Sequence, residues 1–243
     1  MAEDPEVALA RLDARISRCR RCPRLVAWRE QVAREKRAAF AHEDYWGRPV
    51  PGFGPADARI LVVGLAPAAH GANRTGRIFT GDRSGDWLFA AMHRVGLANQ
   101  PLSVDADDGL ELYDTRVLSA VRCAPPANKP TPEERDTCAP WLDRELAIVG
   151  PSVRVVLALG GFGWDAALRA LGDAGWSVPR PRPRFGHAVE VLVPRPARSR
   201  RLSDVVLLGC FHPSQQNTFT GRLTEPMTDA VLGRAAAIAR GEA

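Results

Sequence analysis

The sequence predicts an α/β fold, a three-layer αβα sandwich built around a mostly parallel sheet. Short apolar runs recur at residues 59–64, 153–159 and 205–211, each stopped by a glycine or a polar loop. Runs of that length without alternation suit parallel strands buried on both faces. Between them lie stretches with a helical period and helix-start residues. Strands alternating with helices imply a sheet covered on both sides.

In chain order, Leu9, Leu12 and Ile16 are spaced three and four apart and predict a helix over residues 5–18. A cysteine-containing turn with Pro23 follows, then a basic helix over residues 25–40. Residues 41–58 are rich in Gly, Pro and aromatics and read as a loop. Residues 59–64 form the first strand. A glycine-containing loop, 65–83, leads into a helix with Ser84 as the expected N-cap, Asp86 complementing the N-terminal dipole and Gly96 as the stop. Residues 112–121 read as a strand. Thr131-Pro132-Glu133-Glu134 opens the next helix, with Thr at the N-cap, Pro at N1 and Glu at N3. Residues 153–159 form a strand, followed by Gly160-Gly161-Phe162-Gly163 and a short helix to 171. The Arg- and Pro-rich stretch 178–201 reads as a solvated hairpin around a strand at 189–193. A last strand at 205–211, a loop and a helix at 225–240 complete the chain.

The 243 residues are expected to form one domain, residues 1–243, and the 45% apolar content suits a folded core. In such a sheet the ligand site lies beyond the carboxyl ends of the strands. The loops after Gly64, Val121 and Phe211 are therefore where chemistry is expected. Subtracting 28 acidic from 33 basic residues leaves +5, which suits a polyanionic partner. All the basic residues except Lys36 and Lys129 are Arg, a bias that a GC-rich genome would also produce. The N-terminus is acidic and then amphipathic, with no signal-like apolar region, and no apolar run approaches the roughly 20 residues of a membrane span. A cytoplasmic protein is expected.

Five cysteines in a reducing compartment call for metal, catalysis or burial rather than disulfides. Cys19 and Cys22 form a C-x2-C pair, and Cys123 and Cys138 lie far along the chain. Two thiolates on one tight turn suit either an iron–sulfur cluster or zinc. Cys19 and Cys22 sit among arginines, an unusual place for a merely packed cysteine, whereas Cys210 lies inside an apolar strand and reads as core. The first loop has a nucleotide-binding alternative, but it contains neither G-x-x-x-x-G-K-[ST] nor G-x-G-x-x-G.

After the first strand the sequence runs Gly-Leu-Ala-Pro-Ala-Ala-His-Gly-Ala-Asn-Arg-Thr-Gly-Arg-Ile-Phe-Thr-Gly-Asp-Arg-Ser-Gly. After the last it runs His-Pro-Ser-Gln-Gln-Asn-Thr-Phe-Thr-Gly-Arg-Leu-Thr. With these loops, the four cysteines and Val-Arg-Cys-Ala-Pro-Pro-Ala-Asn-Lys-Pro-Thr at 121–131, nearly the whole chain resembles the type 5 uracil-DNA glycosylases, the thermostable-type B branch. The resemblance implies an αβα sandwich, a structural 4Fe–4S cluster on Cys19, Cys22, Cys123 and Cys138, and hydrolysis of the N-glycosidic bond of deoxyuridine in DNA. Other deaminated or modified bases are implied as further substrates, and a monomer as the acting form.

A base within a duplex must be flipped into a tight pocket before it can be attacked. Phe79 is the candidate for stacking on it, at the position where the family stacks the base. Asn128, which can donate and accept, is the candidate for its Watson–Crick edge. His212 is placed to stabilise the charge developing on the leaving base, and Asp82 to stabilise the sugar cation or orient water. His70 and Asn217 are further candidates near the base. Ser214, Gln215 and Gln216 are expected to enter the minor groove. Arg222, with Arg74 and Arg77, is expected on phosphates. Leu65, Ala66, Ala68 and Ala69 are apolar where much of the superfamily carries an acid or amide, a departure shared with type 5. The alternatives are a type 4 glycosylase, which would show Gly-Glu in place of Gly64-Leu65, and a non-catalytic iron–sulfur nucleic-acid-binding protein. A covalent uracil-trapping relative would need an insertion that is absent from this sequence.

Overall fold

The computed structural model describes residues 3–242. Its five strands are β1 (Ile60–Gly64), β2 (Thr115–Ser119), β3 (Val155–Leu159), β4 (Glu190–Val193) and β5 (Val205–Cys210), in the order β2-β1-β3-β5-β4. Every pairing is parallel except that of β4 with β5. Strands β1 to β3 are buried at every position, and successive side chains point to opposite faces, so the core divides in two. Leu61, Val63, Leu118, Val156, Ala158 and Leu207 face the layer of α1 (Pro5–Ile16), α2 (Pro23–Glu35), α5 (Pro132–Val149) and α6 (Gly160–Asp173). Ile60, Val62, Val117, Val155, Leu157 and Leu208 face α4 (Arg83–Arg94) and α8 (Glu225–Arg240). The expected three layers are present.

Several boundaries differ from the sequence reading. α2 stops at Glu35, where Lys36 adopts a positive φ of 54°, and Ala38–Phe40 is a separate 3-10 turn. The strand expected at 112–121 narrows to β2, and α6 begins on the glycine directly after β3. Two short helices fill loops expected to be irregular, α3 (Ala72–Thr75) and α7 (Gln215–Phe219). The N-cap of α4 is Asp82, not Ser84, because the Asp82 carboxylate accepts from the Ser84 and Gly85 backbone N–H groups. α5 starts as expected, with a capping box between Thr131 and Glu134.

The α1–α5 layer is fastened to the sheet by a buried ion cluster. Glu145 of α5, with no exposed side chain, accepts from Arg116 of β2 and from Arg122 beyond it. Arg116 also reaches Asp13 of α1 at 3.2 Å. Burial alone would raise the Glu145 carboxyl, but the Arg122 and Arg116 guanidiniums hold it below the usual carboxylate range. Removing one partner of such a cluster leaves buried charge uncompensated. Glu145→Gln is therefore expected to lose about 3–5 kcal/mol of unfolding free energy in urea titrations. A loss within the scatter of ordinary surface substitutions would contradict this.

Candidate active site

Three loops meet at the carboxyl edge of the sheet around a cavity of about 590 Å³. Phe79 and Asp82 come from the loop after β1, Asn128 from the segment after β2, and His212, Ser214, Gln215 and Gln216 from the loop after β5. Leu65, Ala66, Pro67, Ala68 and Ile78 supply an apolar wall. The volume falls in the range of small-molecule sites.

Phe79 is held by unusual backbone. Its φ of 53° lies in the left-handed region, and its ring centroid is 5.9 Å from that of His212. The ring lies over the end of β1: a Cβ on Gly64 would come within 2.9 Å of it. Gly85 admits the Phe79 carbonyl where any side chain would collide with it. Positive φ on a non-glycine residue is costly and persists only where surrounding contacts impose it.

The two oxygens of Asp82 have different surroundings. Oδ1 accepts from Ser84 N at 2.9 Å and from Gly85 N at 3.0 Å, capping α4. The other oxygen lies against Gly71, where a Cβ would sit 2.1 Å from it. Burial raises the Asp82 carboxyl above its ordinary value, opposed in part by those two N–H groups. His212 follows β5, and burial pushes its imidazole down to about 4, so it is neutral at physiological pH. Asn128 is exposed, with a φ of 56°, in a turn whose preceding residue Ala127 is also left-handed.

The remaining candidates stand differently. Asn217 does not line the cavity; its Nδ2 donates to the His212 carbonyl at 2.8 Å and Ser214 caps the helical turn that carries it. His70 is also outside the lining, with Nδ1 3.1 Å from Tyr45 Oη. Burial, followed by the charges of Arg37 and Arg74, lowers its pKa. Arg222 is exposed and lies over the Phe211 ring. Arg74 and Arg77 are not available to phosphates. Arg74 is buried and paired with Glu43; Arg77 is buried on Asp108 at 2.7 Å and Ser103 at 2.9 Å. The sequence reading missed Arg83, which lines the cavity and lies over the exposed Phe219 ring. Its place immediately after Asp82 was the available signal.

Cys19, Cys22, Cys123 and Cys138 line one small cavity between α1, α2 and α5. Burial pushes the Cys123 thiol up to about 12 and Cys138 up to about 11. Arg29 donates to Cys123 Sγ at 2.9 Å, and the Arg122 backbone N–H to Cys138 Sγ at 3.3 Å. Arg29 Nε and Arg122 Nε and Nη1 are buried without partners beside these sulfurs. Buried unsatisfied cationic donors require an anion nearby, so the residues fit a thiolate-ligated, negatively charged group. Among the described residues no three His, Cys, Asp or Glu side chains are drawn tightly enough to hold a single metal ion. Cys210 is buried in β5, away from this set, as expected of a core residue.

A family model described as the uracil DNA glycosylase superfamily matches residues 51–235. The chain is 56% identical over 232 residues to the type-5 uracil-DNA glycosylase of Mycobacterium tuberculosis (strain CDC 1551 / Oshkosh), covering 96% of this chain and 82% of that one. It is 49% identical over 224 residues to the type-5 enzyme of Thermus thermophilus, covering 92% and 95%. Likeness to the type-4 uracil-DNA glycosylase of Thermotoga maritima is 33% over 109 residues, covering 44% and 49%. Likeness to the type-4 enzymes is thus both weaker and over a smaller share of the chain, 44% and 53% in two of them, than likeness to the type-5 enzymes.

The capping contribution of Asp82 can be measured by itself. Asp82→Ala removes the cap and should cost about 1 kcal/mol of stability, whereas Asp82→Asn keeps a good capping group and should cost only a few tenths. Chemical denaturation of both variants checks this. Equal losses would show that the capping bonds contribute nothing.

Proposed function

This chain belongs to the uracil-DNA glycosylase superfamily, and we propose that it acts as a type-5 enzyme, hydrolysing the N-glycosidic bond of uracil in DNA to begin base-excision repair. The observation that carries the reading is the convergence of Phe79, Asp82, Asn128 and His212 on one cavity at the carboxyl edge of the sheet. The whole chain works as one catalytic domain, as a monomer in the cytoplasm. No helix among the described residues is long and apolar enough to cross a membrane.

The target base leaves the duplex at a cost of a few kcal/mol and stacks on Phe79, while the Asn128 amide meets its Watson–Crick edge. Cleavage of the bond between C1′ and the base nitrogen sends the electron pair to the base and leaves a cationic sugar. His212, neutral because of its burial, donates an N–H to the base oxygen where negative charge grows. Asp82, which lines the cavity while one oxygen caps α4, stabilises the sugar cation and orients the water that adds to C1′. Asn217 acts as a positioning residue through the His212 carbonyl, and His70 braces the same loop through Tyr45. Ser214, Gln215 and Gln216 fill the space left by the flipped base, and Arg222 holds a phosphate. Other deaminated bases of similar size fit the same scheme, since the apolar wall makes no base-specific bond.

Cys19, Cys22, Cys123 and Cys138 would hold a 4Fe–4S cluster. The four cysteines around one cavity and the unpartnered guanidinium atoms beside them suit a thiolate-ligated, anionic group of this kind. When bound, it supplies a crosslink between the N-terminal helices and α5. Purified protein should be brown and contain iron and sulfide in equal amounts, and Cys138→Ser should lose both. Zinc without sulfide would replace this assignment.

Activity is tested with labelled duplex DNA carrying one uracil, followed by alkali. Scission should occur only at the uracil, and His212→Ala should slow it by about 10²–10³-fold while leaving DNA affinity in place. Burial pushes the His212 imidazole down to about 4, so His212 contributes no step near pH 6.5; on the acid side the rate should fall as the Asp82 carboxylate, raised by burial, takes up a proton and no longer stabilises the sugar cation. Scission absent on uracil and on hypoxanthine DNA, with tight DNA binding intact, would point to the non-catalytic alternative.

A further inference from the structure

A second concavity, of about 500 Å³, lies between α2 and the segment 45–48. It is lined by Arg18, Arg20, Arg34 and Arg48, with Glu30 as its one carboxylate. Glu30 is already bound by Arg20 in a two-point pair. Arg18, Arg34 and Arg48 are exposed and pair with no carboxylate among the described residues. The resulting surface carries uncompensated positive charge within a groove, where field lines concentrate.

The floor of this groove is built into the active-site loops. Gly47 lies so close to α2 that a Cβ there would meet the Ala33 Cβ at 2.9 Å. Trp46 N donates to the Arg74 carbonyl at 2.8 Å and Gly47 N to the Asn73 carbonyl at 3.0 Å, both in α3 after β1. The neighbouring Tyr45 hydroxyl meets His70 of the same loop. Val50 N donates to the carbonyl of Arg122, beyond the end of β2. The groove therefore runs along the same carboxyl edge as the catalytic cavity, on its β2 side.

We propose that this groove is a second DNA-binding site, one that grips the sugar-phosphate backbone flanking the lesion through Arg18, Arg34 and Arg48. The proposal rests on the glycosylase reading for the identity of the polyanion. Backbone is favoured over bases because Trp46 offers no free face: the Arg48 guanidinium lies over its ring, and Gly76 packs against it so tightly that a Cβ there would sit 3.0 Å away. Guanidiniums on phosphates position DNA without reading its sequence, as an enzyme that searches for one base in any context requires.

The test is the salt dependence of affinity for a uracil-free duplex, between about 50 and 200 mM salt, using the full chain. Each lost phosphate contact lowers the slope of log K against log salt by about 0.9, so Arg18→Gln/Arg34→Gln/Arg48→Gln should lower it by roughly 2–3. The control is Arg198→Gln/Arg200→Gln/Arg201→Gln, which removes the same charge from the exposed loop before β5, at the opposite edge. Its slope should stay near that of the wild type. Wild-type uracil release with an unchanged slope in the groove variant, or an equal fall in the control, overturns the groove alone. A wild-type chain that neither binds DNA nor releases uracil overturns the groove and the glycosylase reading together.

Discussion

One buried carboxylate holds the two halves of this molecule in register. Glu145 lies on α5 and accepts from Arg116 within the sheet and Arg122 just beyond it. Through Arg116 it reaches Asp13 on α1. Through Arg122 it reaches the cysteine cavity, since that residue's backbone N–H donates to Cys138. Hydrophobic burial supplies the attraction between the layers but has no direction of its own. A charge that must be satisfied in one geometry fixes how far α5 slides along the sheet. The relative position of the four sulfurs follows from that.

The sheet supplies a rigid edge, and the loops at that edge hold the strained backbone. Phe79, Ala127 and Asn128 all have positive φ without being glycine. Each such residue costs of order 1–3 kcal/mol, sustained by the packing around it. Gly64 and Gly85 make the packing around Phe79 possible, because both stand where a side chain would strike that residue. The aromatic surface is thus set before any base arrives, and binding need not order it.

Much of this was legible in the chain. The runs at β1, β3 and β5 announced themselves by apolar composition, and Thr131 with Glu134 announced the start of α5. These signals are local, and local signals survive without knowledge of the fold. The α4 cap was misread because Asp82 and Ser84 are both good capping residues two positions apart; the choice is made by the close approach of Gly85 to Phe79, a tertiary fact. Arg74 and Arg77 looked like phosphate ligands because their partners, Glu43 and Asp108, each lie 31 residues away in sequence. α7 went unseen because five residues carry too little periodicity to distinguish a helical turn from a loop. Seven of the candidates, Phe79, Asp82, Asn128, His212, Ser214, Gln215 and Gln216, line one cavity because they sit on loops at the ends of parallel strands, where ligand sites form.

Asp82 closes the first turn of α4 with the same side chain that faces the cavity. Selection on folding and selection on chemistry therefore act on one position together. A descendant that abandoned repair would still be penalised for losing an acid or amide there, since the helix would lose its cap. Finding Asp or Asn at this position in a distant relative is thus poor evidence that the relative is active. The neighbouring glycine at 71 is in the same situation: its small size serves the carboxylate, and it would be retained for as long as the cap is, whether or not any base is ever cut.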